Sequence, residues 1–99
     1  MGVGLENQQL EPFLLYVEAG VMSQPRVTHP GQEFVYCMSG VIEYIVDGRS
    51  YLLQSGDSLL FEGRLPHCWH NPTDDVAVVL MVFQAAQDNE QAREYHLTG

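Results

Sequence analysis

Between Phe13 and Phe83 short apolar runs alternate with glycine-centred turns, a spacing that fits an all-β sandwich or barrel and not a set of helices. The runs predict strands at 13–18, 33–39, 41–46, 49–53, 58–61, 67–70 and 76–83. Asp47-Gly48 is the clearest turn signal, because a two-residue type I′ hairpin needs positive φ at both central positions and Asp-Gly supplies it. Such a turn sets a register in which Val46 faces Arg49 and Tyr44 faces Tyr51. Ile42, Tyr44, Val46, Tyr51 and Leu53 then share one face, the predicted inner one. The opposite face carries Val41, Glu43, Ile45 and Leu52, too apolar a set for simple exposure to water. Either a second layer of the same domain covers it or a second copy of the chain does.

This pattern divides the chain into a flexible N-terminal segment at 1–11, a barrel at 12–84 and a short helix or tail at 85–99. Gly2 to Gln9 holds two glycines and a polar run, and Ala85 to Glu94 is rich in Ala, Gln and Glu. Ninety-nine residues make a single domain whose core buries only part of its surface, so a homodimer is expected. The formal charge is −9 with no lysine, a balance that repels phosphate and argues against direct nucleic-acid binding. No apolar stretch has the length of a membrane span, and the basic start and apolar run of a signal peptide are missing, so a cytoplasmic location is expected. With that location the two cysteines, Cys37 and Cys68, read as reduced thiols.

Candidate chemistry concentrates on His29, Glu33 and His67. Residues two or four apart on an extended chain point the same way, so His29 and Glu33 share a face if the backbone stays roughly extended through Pro30-Gly31. Two imidazoles and one carboxylate are the ligand set of the facial triad, which holds a metal on one side and leaves positions open. A divalent transition metal, Fe, Mn, Ni or Zn, is therefore expected. The metal-free alternative is a histidine–carboxylate hydrogen-bond network at the base of a ligand pocket, since a buried carboxylate needs a compensating partner. Trp69 shares the side of His67, and Cys37 that of Glu33; with Tyr44 and Tyr51 they are the expected pocket wall. His70 and Cys68 have the opposite parity and should point outward. His96 falls in the tail, where a solvated role is expected.

The same residues make the sequence resemble the cupin superfamily, small double-layered β-barrels of the jelly-roll kind, also described as a double-stranded β-helix. Its first motif is matched by Val27, His29, Glu33 and Gly40, and its second by Gly56, Asp57, His67 and Asn71. The resemblance covers Pro12 to Phe83. Val27 stands where the family has its first histidine, so the resemblance implies a three-ligand site with Val27 at its fourth corner, facing the pocket. Glu62 and Arg64 depart from the proline and glycine common in the second motif. The reduced ligand set is similar to that of the cupin epoxidase acting on hydroxypropylphosphonate with non-haem iron. Within the superfamily the run from His29 to Leu80 looks most like the C-terminal sensor domain of Xre-type helix-turn-helix transcriptional regulators.

Two functional expectations follow from that resemblance. One is a small-molecule-binding regulatory domain, with a ligand inside the barrel beside the metal and DNA contact left to another domain. The other is a free-standing metal-dependent enzyme, a non-haem Fe(II) oxygenase or epoxidase, or an isomerase. Catalysis calls for a proton-transfer group in the pocket, and only Tyr36, Tyr44 and Tyr51 are candidates. None of the three stands out in the sequence, which favours binding of a small organic acid without turnover.

Overall fold

The structure, a computed structural model, describes residues 10–84. Seven strands follow one another: β1 (Leu10–Val17), β2 (Gln32–Ser39), β3 (Val41–Val46), β4 (Arg49–Gln54), β5 (Ser58–Glu62), β6 (His67–His70) and β7 (Ala77–Gln84). Six of them lie within one residue of a predicted run at each end, and β1 starts three residues before its run at 13–18. They form two antiparallel sheets, one of four strands in the order β1-β7-β2-β5 and one of three in the order β4-β3-β6. Every long-range neighbour is antiparallel, as the jelly-roll arrangement requires. Among the described residues no helix is long and apolar enough to cross a membrane.

The Asp47-Gly48 turn has φ of 51° and 81°, the positive values that a type I′ hairpin demands. It fixes Val46 opposite Arg49, Tyr44 opposite Tyr51 and Ile42 opposite Leu53. Ile42, Tyr44, Val46 and Leu53 are buried, and they pack against Val35, Val79 and Met81 of the other sheet. Burying each aliphatic side chain of this kind contributes roughly 1.5–3 kcal/mol. Tyr51 differs: it is 37% exposed, because β4 is the edge of the three-stranded sheet and only one neighbour shields it.

β1 begins at Leu10 and not at Pro12, since Leu10 and Glu11 continue the ladder to Gln84 and Phe83. Of the segment at 1–11 expected to be flexible, Leu10 and Glu11 are thus strand; residues 1–9 and the expected helix or tail at 85–99 lie outside the described residues.

Two outer faces remain. On the three-stranded sheet Val41, Glu43 and Ile45 are half-buried and Leu52 is exposed. Glu43 is engaged there by His70 at 3.2 Å and by the Ser50 hydroxyl. The four-stranded sheet presents a wider apolar face. Leu14, Leu80 and Tyr36 stand in one cross-strand row, and Pro12, Val82, Phe34 and Leu60 in the next. Leu14, Tyr36 and Leu60 are all exposed on it.

Candidate metal centre

His29, Glu33 and His67 reach one point from three segments. Glu33 is the second residue of β2 and points inward with Val35 and Cys37. His67 opens β6, paired with Val46 on one side and with Val27 on the other. His29 lies in the link before β2, held by its backbone N–H donating to the Gly63 carbonyl at 2.9 Å, while the Gly63 N–H donates to the Gly31 carbonyl at 2.7 Å. The centre therefore sits at the barrel end where the β3–β4 hairpin and the 63–66 turn meet.

The donor geometry fits a metal ion. His29 Nε2 is 2.9 Å and His67 Nε2 is 3.3 Å from Glu33 Oε1, and one ligand atom from each residue lies within 4.8 Å of the others. Ligands about 2.0–2.2 Å from a shared ion stand roughly 3 to 3.5 Å apart at tetrahedral or octahedral angles, so both His–Glu separations already fit and the two imidazoles, within 4.8 Å of each other, need only close by about 1 Å to receive one. The remaining ring nitrogens reinforce the fit. His29 Nδ1 is 3.1 Å from the Pro30 carbonyl and His67 Nδ1 is 2.7 Å from the Leu65 carbonyl. A carbonyl only accepts, so each Nδ1 carries a hydrogen and each Nε2 has its lone pair free for an ion.

Charge in the cluster is already organised. The His29 pKa is raised, chiefly by its hydrogen bond to Glu33, against the opposing effect of burial. For Glu33 burial pushes the carboxyl pKa up, but the hydrogen bonds from His29 and His67 outweigh it and the net shift is downward. Both shifts favour an imidazolium–carboxylate pair, the form in which a proton occupies the place of a cation.

Among the expected wall residues, Val27 and Trp69 flank His67, as its bridge partner and as the inward residue next along β6. Tyr44 is fully buried, with its hydroxyl 3.5 Å from Glu33 Oε2. Burial, and then the Glu33 charge, push the phenol far above its ordinary pKa, so it donates and does not act as a base. Cys37 faces inward but lies four residues along β2 from Glu33, about 13 Å away. Its thiol donates instead toward the Ser39 and Gly40 carbonyls at the other end, and burial raises its pKa. Tyr51 is at the exposed strand edge, and Tyr36 is on the outer sheet face. His70 and Cys68 point outward as expected; His96 is outside the described residues.

Two functional positions were not drawn from the sequence. Gly63 lies so close to the His29 ring that a Cβ would collide with it, and Leu65 supplies the carbonyl that orients His67. A glycine amid Glu62 and Arg64 was the available signal for the first. Asn71, a motif residue, proves to be a tie: its amide donates to the Val17 and Asp75 carbonyls and its oxygen accepts from Thr73.

Solved structures of similar fold include a cupin barrel domain protein from Salinispora arenicola, with a TM-score of 0.73 at 23% identity, covering 100% of this chain and 80% of that one. The cupin domain of an XRE-family transcriptional regulator from Enterobacter cloacae has a TM-score of 0.71 at 22% identity, covering 77% and 81%. A cupin-superfamily sugar phosphate isomerase from Silicibacter pomeroyi has a TM-score of 0.69 at 29% identity, covering 80% of this chain; the chain spans 52% of that protein. No curated protein sequence matches the chain. The sequence profile of the cupin domain matches residues 13–83, and with the two-sheet antiparallel barrel this assigns the chain to the cupin family.

Proposed function

We propose that this chain is a small-molecule-binding cupin domain that holds a divalent transition metal on His29, Glu33 and His67. The observation that carries the reading is the convergence of three donors whose Nδ1 atoms are both committed to carbonyls. Fe, Mn, Ni or Zn suits the donor set. A bound ion supplies open coordination positions for a ligand. Tyr44 keeps its proton and steadies Glu33, Val27 fills the fourth corner with an apolar surface, and Trp69 walls the side beside His67.

Sensing is favoured over catalysis because the wall provides no proton acceptor among the described residues besides the ligands themselves. A sensor needs only to bind its ligand differently in two states, whereas an enzyme must favour the transition state. Similarity to the XRE regulator's cupin domain fits a module of a transcriptional regulator, and the formal charge of −9 with no lysine fits one that is cytoplasmic and does not itself contact DNA. The second reading is a metal-dependent isomerase, supported by the 29% identity to the sugar phosphate isomerase. Thermal-shift screening followed by product analysis of each hit on metal-loaded protein separates them. Stabilisation without turnover supports the sensor; turnover that vanishes in Glu33→Ala establishes the enzyme.

The reading includes a homodimer, formed through the outer face of the four-stranded sheet. Four strands about 4.8 Å apart and roughly six residues long span about 400 Å² in projection, and protruding side chains add to that. Such a face supplies a large part of the ~800 Å² per partner of a standard interface. A second copy brings a matching apolar face to it, packed sheet on sheet.

A further inference from the structure

The chain is acidic, yet the fixed cations among its described residues are gathered at one place. Among the described residues the arginines are Arg26, Arg49 and Arg64, and there is no lysine. Arg49 sits beside the β3–β4 turn, Arg64 follows the Gly63 that touches His29, and Arg26 precedes the Val27 that bridges to His67. All three thus belong to the barrel end that holds the candidate metal centre. None of them takes part in an ion pair among the described residues.

Register separates their roles. Val46 is directly opposite Arg49 on one side and His67 on the other. Directly opposed residues of an antiparallel pair project to the same face, so Arg49, Val46 and His67 form one inward row. Arg49 and His67 are two strand spacings apart, roughly 10 Å. Arg49 is exposed at the end of that row, and an extended arginine covers much of the distance. Arg26 instead lines a groove with Ile45, Asp47, Cys68 and the edge of His67, and Ile45 and Cys68 there are opposed residues of the outward parity.

We propose that Arg49 is the residue that recognises the ligand of this centre, and that the ligand is a small molecule bearing an oxyanion, a carboxylate or a phosphate-type group. The inference rests on the reading of His29, Glu33 and His67 as a metal site. A dication on two neutral imidazoles and one carboxylate retains a single positive charge, and Arg49 adds a second at the other end of the gap. A guanidinium presents a planar fork that pairs bidentately with an oxyanion, which an ammonium does not. Val46, between the two charges, is buried and apolar, and low polarity there strengthens both.

The test uses the full chain loaded with Co(II), whose visible absorption reports on ligands at the centre. Acetate and methylphosphonate are titrated against it, with acetamide as the uncharged match for acetate. At least one oxyanion is expected to bind ten times more tightly than acetamide or better, and comparison of the two oxyanions shows which group is taken. Arg49→Gln should weaken that binding on the order of ten- to a hundredfold, while Arg26→Gln changes it by less than about threefold. Arg49→Lys should fall between, and it serves in place of the glutamine variant if that one does not fold. Equal losses from the Arg49 and Arg26 substitutions, or acetamide binding as well as acetate, would overturn the proposal. If the chain takes up no Co(II), the metal reading fails on its own; the same titrations of metal-free protein then decide the inference, upheld by Arg49-dependent oxyanion binding and overturned without it.

Discussion

Gly63 lies against the imidazole of His29 with no room for a side chain between them. The contact couples the 63–66 turn to the metal centre, since the same glycine accepts the His29 N–H and donates to Gly31. Gly63→Ala therefore pushes the ring off its line to Glu33. Metal affinity should fall about 10- to 100-fold, the range seen when groups that orient a ligand are disturbed. Stability should fall by roughly 1–3 kcal/mol from overpacking. Competition titration against a chromophoric chelator and thermal unfolding measure the two effects.

Asn71 tests the separation of scaffold from site. Its side chain closes the loop before β7 onto the end of β1 through four hydrogen bonds, with no solvent exposure. Asn71→Ala leaves buried carbonyls without donors and should cost roughly 2–4 kcal/mol. Metal stoichiometry of the folded variant should stay that of the wild type. Urea unfolding and metal analysis of the same preparation check both halves.

Without metal the cluster makes stability depend on pH from both sides. The His29 pKa is raised above 6.5, so its protonated ring contributes stability that is complete below that value and lost as pH rises through the folded pKa. The Glu33 pKa is lowered below 4.5, so its carboxylate contributes above that value and the contribution is lost as pH falls through the folded pKa. Protein kept in chelator should show its highest Tm between the two folded values, with a decline on each side. Glu33→Gln should flatten both limbs. Metal displaces the His29 proton, so metal affinity should weaken as pH drops.

The two outer faces give opposite expectations for association. Tyr36 is central to the four-stranded sheet's apolar face, whereas Leu52 is on the hairpin's outer side. Light scattering should give a mass near twice 11.1 kDa for the wild type and for Leu52→Asp. Tyr36→Glu, which buries a charge in the interface, should give the monomer. A dimer lost only in Leu52→Asp would move the interface to the hairpin.

The faces also show what the sequence carried and what it withheld. Asp47-Gly48 has one comfortable turn geometry, so the β3–β4 register and the inward set from Ile42 to Leu53 could be read directly. His29, Glu33 and His67 could be grouped because their types and spacing are restrictive. In β2 both alternating sets are apolar, Val35 and Cys37 inward and Phe34, Tyr36 and Met38 outward, so parity alone could not say which set met water. Local pattern therefore points to an apolar outer face on the hairpin and not on the larger sheet. The exposure of Tyr51 depends on β4 being an edge, and the distance of Cys37 from Glu33 on where along β2 the centre sits. Both are properties of assembled sheets, not of local pattern. The Gly63 contact joins positions 34 residues apart in the chain and leaves only a glycine as its trace.

Elemental analysis of protein purified without chelator tests the central claim most directly, with His67→Ala and Glu33→Ala prepared in parallel. His67 and Glu33 are the two most deeply buried members of the cluster, and each approaches the shared point through Nε2 or Oε1. The wild type should carry close to one divalent transition metal per chain, and both variants should lose it while remaining folded by circular dichroism. Equal metal content in wild type and variants, or none in any of them after reconstitution with Fe, Mn, Ni and Zn, would contradict the assignment and leave the three residues as a hydrogen-bonded network.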